Sequence, residues 1–125
     1  MTQREKIILV SGEFNIITPK EIKFLKRCRS KGDWLIVGIH SDTSMYAKYG
    51  FIENDYLERI ELLNQLKIVD EIFRFNDLDG TVCNLLKIVK VCYPMSEITY
   101  ISEHDMHNMP EKKIRGINFE TITKE

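Results

Sequence analysis

The sequence predicts an α/β domain, a doubly wound sheet of about five parallel strands with helices on both faces. Three observations carry this. Apolar runs such as Ile7–Val10 and Trp34–His40 show no alternation, as expected of strands covered on both sides. Segments with helical apolar spacing stand between those runs. Capping and turn signals mark the changes from one to the other.

The first run, Ile7–Val10, breaks at Ser11-Gly12 and crosses a short turn to Thr18-Pro19-Lys20-Glu21. That tetrapeptide reads as a capping box, with Thr18 as N-cap, Pro19 at the first helical position and Glu21 reaching back. Ile17 and Ile22 are spaced to staple it. The helix is expected through Arg29 or Ser30, burying Ile22, Leu25 and either Cys28 or the stem of Arg29, with Lys23, Lys26 and Arg27 in water. Lys31-Gly32-Asp33 turns the chain into the second strand, Trp34–His40. Ser41–Asn54 has weak periodicity and reads as a long loop, the kind of segment that carries function in such folds. Asp55-Tyr56-Leu57-Glu58 is a second capping box, opening a helix with Leu57, Ile60, Leu63 and Leu66 as its apolar stripe. Val69–Phe75 is the expected third strand. A third helix starts at Asp79-Gly80 and runs to about Val91, stopped by Pro94. Ile98–Ser102 and Ile117–Ile122 complete the sheet.

At 125 residues the chain is expected to form one domain, 1–125, large enough for a real core. A hydrophobic content of 43% against 30% charged residues excludes disorder as the default. The net charge of −1 gives no bulk field for nucleic acid or an anionic membrane, and no basic-aromatic face stands out, so a nucleic-acid partner is not expected. Cys28, Cys83 and Cys92 are odd in number and lack paired spacing, which points to reduced, mostly buried thiols. The N-terminal apolar run is too short for a signal peptide, and no window approaches a membrane span. The expected setting is cytoplasmic.

A strand that delivers a turn to a helix N-terminus is where α/β folds seat phosphates. Here that turn reads Gly12-Glu13-Phe14-Asn15-Ile16-Ile17-Thr18-Pro19-Lys20-Glu21. Lys31–Asp42 reads K-G-D-W-L-I-V-G-I-H-S-D, and Leu66–Ile72 reads L-K-I-V-D-E-I. In these segments the chain resembles the small cytidylyltransferase-like nucleotidyltransferases, nearest in pattern to glycerol-3-phosphate cytidylyltransferase. The resemblance implies a Rossmann-like fold, a homodimer, and transfer of a nucleotidyl group from CTP or ATP to a phosphate-bearing acceptor. Pyrophosphate is released, with Mg²⁺ as the helper ion. It also places Gly12, Glu13, Phe14, Lys20, Arg59 and Ser102 at nucleotide-binding positions, and Thr18, Glu21 and Lys48 at catalytic ones.

The family signature, G-T-F-D-x-x-H-x-G-H, is altered at the chemistry. Thr18 and Glu21 occupy the positions of its two histidines, which donate hydrogen bonds to the phosphates. Thr18 retains one neutral donor; ionised Glu21 has none. Loss of one preorganised donor costs on the order of 10²–10³ in rate. A carboxylate ~4 Å from a phosphate charge adds roughly 4 kcal/mol of repulsion at an effective dielectric of 20. Glu13 replaces the signature threonine with a second carboxylate, and Lys20 replaces its glycine. The family's fourth-strand acidic segment appears as Ser102-Glu103-His104-Asp105 without its glycine. Its closing arginine and serine/threonine-rich helix are reduced to Phe119–Glu125, with Thr121, Thr123 and Lys124 as faint echoes. The expectation is a pseudoenzyme, a binding or regulatory module with a possible protein partner. The alternative is a divergent active transferase using Lys20, Lys48 and Arg59.

Other motifs have plainer readings. Arg59 is equally spaced to pair with Asp55 on its own helix. His104 and His107 have the spacing of two metal ligands but no third, and read as surface histidines. Asn76–Gly80 resembles the start of a calcium loop without its remainder and reads as a helix cap. Lys112, Lys113 and Arg115 read as a solvated turn.

Overall fold

In the computed structural model, which describes residues 6–106 and 108–123, the sheet is parallel throughout. Its strands are β1 (Lys6–Gly12), β2 (Trp34–Ile39), β3 (Glu71–Arg74), β4 (Glu97–Ser102) and β5 (Ile117–Thr121), in spatial order β3-β2-β1-β4-β5. The helices are α1 (Pro19–Arg29), α2 (Asp42–Tyr49), α3 (Tyr56–Asn64) and α4 (Cys83–Cys92), with a 3₁₀ turn at Pro110–Lys113. The architecture is the expected Rossmann-like one.

Strand periodicity sorts the apolar side chains into two layers. Ile8, Val10, Leu35, Val37 and Ile39 face Leu25 and Cys28 of α1 and Leu63 of α3. Ile7, Leu9, Ile36, Ile98 and Tyr100 face Leu85, Leu86 and Val89 of α4. Each fully buried Leu or Ile stabilises the fold by about 1.5–3 kcal/mol, so both layers are needed to hold the sheet. Gly38 lets α4 approach β2: a Cβ there would collide with the Leu85 side chain. The end of α1 is tied to the entry of β3 by Arg29 Nε and Asp70 Oδ2 at 2.9 Å.

Several boundaries differ from expectation for identifiable reasons. Ser41–Asn54 is not a loop throughout, because α2 occupies Asp42–Tyr49. Ser41 caps it by accepting from the Ser44 N–H at 3.0 Å, and Gly50 ends it in the left-handed region at φ 78°. The helix buries only Met45, so it leaves no apolar stripe to read. α3 has the expected capping box, with Asp55 and Glu58 reciprocally bonded. Its inward face is Tyr56, Arg59 and Leu63, however, while Leu57 is 72% exposed. β3 begins later than Val69 because the Asp70 carboxylate, not a strand carbonyl, accepts the Leu35 N–H at 2.7 Å. α4 starts at Cys83 rather than Asp79, since Asn76 and Asp79 first form side-chain turns to Leu78 and Thr81. All three cysteines are free, but only Cys28 is buried. Among the described residues no helix is long and apolar enough to cross a membrane.

Candidate functional site

After β1 the chain builds β2 and β3 on one side, then crosses over to build β4 and β5 on the other. The reversal falls between β1 and β4, and the crevice beyond their C-terminal ends is where open α/β sheets take ligands. A cavity of about 400 Å³ occupies that place. Ser11 and Gly12 of β1, the following turn through Ile16, and Tyr100–Ser102 of β4 form its floor and walls. Glu21 and Phe24 of α1, His40, Lys48, Glu103 and His104 complete the lining.

The turn after β1 is tightly shaped. Phe14 sits at φ 51°, a left-handed conformation unusual for a bulky residue. Its ring packs so closely over Gly12 that a Cβ there would lie 2.7 Å from it. Asn15 locks the far side, with its carbonyl accepting from Asn54 Nδ2 at 2.6 Å and its side-chain oxygen from the Asn54 N–H at 3.1 Å. Glu13 reaches toward α2, where one carboxylate oxygen accepts from Tyr49 Oη at 2.8 Å and the other from Lys48 Nζ at 3.2 Å. Contact with Tyr49, and then with Glu13, holds the Lys48 ammonium above the ordinary lysine range.

The expected site residues separate into two groups. Gly12, Glu13, Phe14, Glu21, Lys48 and Ser102 line the cavity together. Thr18 and Lys20 are not among its described lining residues; Thr18 caps α1, its Oγ1 accepting from the Glu21 N–H at 3.3 Å. Arg59 lies behind the site rather than in it. It is fully buried, with Nη1 donating to the Glu13 carbonyl at 2.8 Å and Nη2 to Asp42 Oδ1 at 2.8 Å. Its ion partner is therefore Asp42, and Asp55 is used as the α3 cap. Ser102 Oγ accepts from the His104 N–H at 3.0 Å, shaping the turn that carries Glu103 and His104. His104 Nε2 pairs with Glu103 Oε1 at 3.2 Å. His107 and Lys124 lie outside the described residues. Among the described residues no three carboxylate, histidine or cysteine side chains converge on a point that could hold a metal ion. The described side chains therefore offer no ready-made donor set for a resident metal.

Sequence reasoning missed four residues here. Ser11 Oγ and Tyr100 Oη lie 2.6 Å apart across the β1–β4 seam. Burial pushes the Tyr100 phenol up, against the Ser11 hydrogen bond, which lowers it; Glu111 adds to the rise. His40 Nδ1 lies 3.3 Å from Asp77 Oδ2, and Asp77 also accepts from the Ser41 N–H at 2.9 Å and Oγ at 2.6 Å. The signal that could have found three of them is β-strand alternation, which within β1 and β4 and one residue past β2 puts Ser11, Tyr100 and His40 on the α4 side of the sheet.

Asp77 yields a pH prediction. Burial by itself would raise its pKa, but the Ser41 hydroxyl and amide, with His40, hold it below the ordinary carboxylate value. A depressed folded-state pKa gives stability that is complete above the unfolded value, near 4, and is lost as pH falls through the folded one. Asp77→Asn is therefore expected to unfold with a shallower acid limb below about pH 4, measured by circular dichroism across pH 2–6. An unchanged limb would mean that Asp77 contributes no such linkage.

Comparison with known proteins agrees with the fold. Bifunctional protein HldE of a Nitratiruptor species is 30% identical over 117 residues, covering 92% of this chain and 25% of the relative. The chain thus spans about a quarter of that protein's length. FAD synthase of Thermococcus sibiricus is 36% identical over 74 residues, covering 58% of this chain and 50% of that one. The crystal structure of the lipopolysaccharide core biosynthesis protein from Thermoplasma volcanium superimposes with a TM-score of 0.72 at 21% identity, over 95% of this chain and 97% of that one. At that identity the likeness speaks for the fold alone. Residues 9–121 match the cytidylyltransferase-like family model, and the chain belongs to that family.

Proposed function

We propose that this chain is a nucleotidyltransferase-fold binding module, a pseudoenzyme that takes a phosphate-bearing nucleotide in the β1–β4 crevice without transferring it at an enzyme's rate. The observation that carries this is the placement of Glu21. Glu21 belongs to the cavity lining, at the position where the family signature has a phosphate-binding histidine. Glu13 supports the same reading, because it engages Lys48, a cation of the same lining. A triphosphate entering the crevice meets carboxylates from two elements and a lysine already paired. The module's output would then be a regulatory contact with a protein partner, and the family's homodimer is carried as part of this proposal.

A divergent active transferase is the second reading. It is favoured by the position of Lys48 on the cavity, from which it can exchange Glu13 for a phosphate; Mg²⁺ would arrive with the nucleotide. One pair of experiments separates the two. CTP or ATP with Mg²⁺ is expected to raise the thermal unfolding midpoint, because a ligand bound only by the native state stabilises it. Pyrophosphate release with glycerol phosphate or sugar phosphates as acceptors is expected to stay far below about 1 s⁻¹, the lower end of ordinary turnover. Release at or above that rate would sink the pseudoenzyme reading. No midpoint shift at millimolar nucleotide would sink nucleotide binding.

A further inference from the structure

Among the described residues three basic side chains line the crevice, and their counterions differ in one respect. Lys48 is paired with Glu13 and His104 with Glu103, and both carboxylates are themselves lining residues. An anion entering the cavity must compete with them. His40 is paired with Asp77, which is only 4% exposed and is not among the described lining residues. The carboxylate stands behind the imidazole instead of beside the ligand.

We propose that His40, oriented by Asp77, is a phosphate-contacting residue of this chain, binding a phosphoryl oxygen of a nucleotide or polyphosphate. The proposal rests on the crevice being a nucleotide site, as argued above, and adds to it a histidine outside the signature turn. With Nδ1 committed to Asp77, the remaining ring nitrogen is Nε2, on the opposite edge of the ring. The ring is held from the side by Phe75, edge to face at a centroid distance of 5.5 Å. From the backbone, the His40 N–H donates to the Gly12 carbonyl at 3.1 Å, which fixes β2 against the turn after β1. Asp77 also has two bonds from Ser41, so its buried charge rests only in part on the His40 contact.

Nδ1–H faces Asp77, and the imidazolium form of His40 donates through Nε2 to the phosphoryl oxygen while Nδ1–H remains on Asp77. Among the described residues, the charged groups that share the crevice or back it are Asp77, Glu13 with Lys48, Glu21, Glu103 with His104, and the buried Arg59 with Asp42. Glu21 lines the same cavity from α1, so a cation on the β2 side would offset its charge toward an entering anion.

The test is ¹⁵N-histidine spectroscopy of the full chain at pH 7.5, titrated separately with CTP, ATP and inorganic tripolyphosphate, each with Mg²⁺. The His40 signals are assigned by their absence in His40→Asn. On saturation, the His40 Nε2 resonance is expected to move to the imidazolium position, and His40→Asn to bind about tenfold more weakly than wild type. Asp77→Ala removes the acceptor that holds Nδ1–H and is expected to move free His40 toward the Nε2–H tautomer, which loss of a merely structural aspartate would not do. If His40→Asn fails to melt cooperatively, His40→Gln replaces it. Nucleotide binding with a stationary His40 signal and equal affinity in the variant overturns this inference and leaves the nucleotide reading standing. A His40 response to tripolyphosphate without any nucleotide binding does the reverse. No response to any of the three overturns both.

Discussion

Replacing Glu21 with histidine is expected to tighten CTP or ATP binding by about ten- to a hundredfold. The substitution removes a carboxylate from the cavity lining and adds a donor at the same helix start. The unscreened cost of that carboxylate near a phosphate is roughly 4 kcal/mol at an effective dielectric of 20. Glu21 is only partly buried, so solvent reduces the penalty to about half or less. Glu21→Gln separates the two contributions: loss of charge alone should recover most of the gain, and the histidine donor the remainder. Titration calorimetry at low and moderate salt reads both. Equal affinity in wild type and both variants would mean that the phosphates do not lie at the α1 start. The reading of Glu21 as the residue that weakens the site would then be abandoned.

Arg59→Met is expected to destabilise the fold by about 3 kcal/mol, lowering the unfolding midpoint by about 10 °C. Arg59 is the largest fully buried side chain among the described residues, and its guanidinium links α3 to α2 and to the turn after β1. Methionine preserves much of the volume but leaves the Glu13 carbonyl without this donor and Asp42 without its cation. Asp42 is about one third exposed, so water recovers part of its loss, which places the effect at the low end for a broken buried pair. The measurement is urea denaturation of wild type, Arg59→Met, Asp42→Ala and the double variant. A coupling energy near zero would show that Arg59 acts through packing and its bond to the Glu13 carbonyl, not through Asp42.

The opposite placements of Glu21 and Arg59 mark how far the sequence could be read. Strands and the main helices were legible because burial on both faces writes itself as unbroken apolar runs, and because Thr18 and Asp55 announce helix starts. α2 was illegible since a helix that buries only Met45 has no periodicity to display. Arg59 was misleading in a different way. Spacing along one helix offers Asp55, and family register offers a phosphate, but only the fold brings Asp42 across from another helix. The turn residues Gly12, Glu13 and Phe14 line the crevice together because a single local motif carries them. His40 and Asp77, thirty-seven positions apart in sequence, meet only through the pairing of β2 with β3.

The start of α4 depends on a contact of similar range. Thr81 Oγ1 accepts the Cys83 N–H at 3.1 Å, but the Val82 N–H is taken at 3.0 Å by Glu111, a carboxylate 29 residues downstream and 2% exposed. A ribosome making this chain therefore releases all of α4 well before its first turn can be finished. Until Pro110–Lys113 docks, that turn is a fraying end in water, and the α4 layer of the core stays open at the edge nearest the crevice. Amide exchange at Val82 would time this last closure, separating it from the earlier assembly of the sheet.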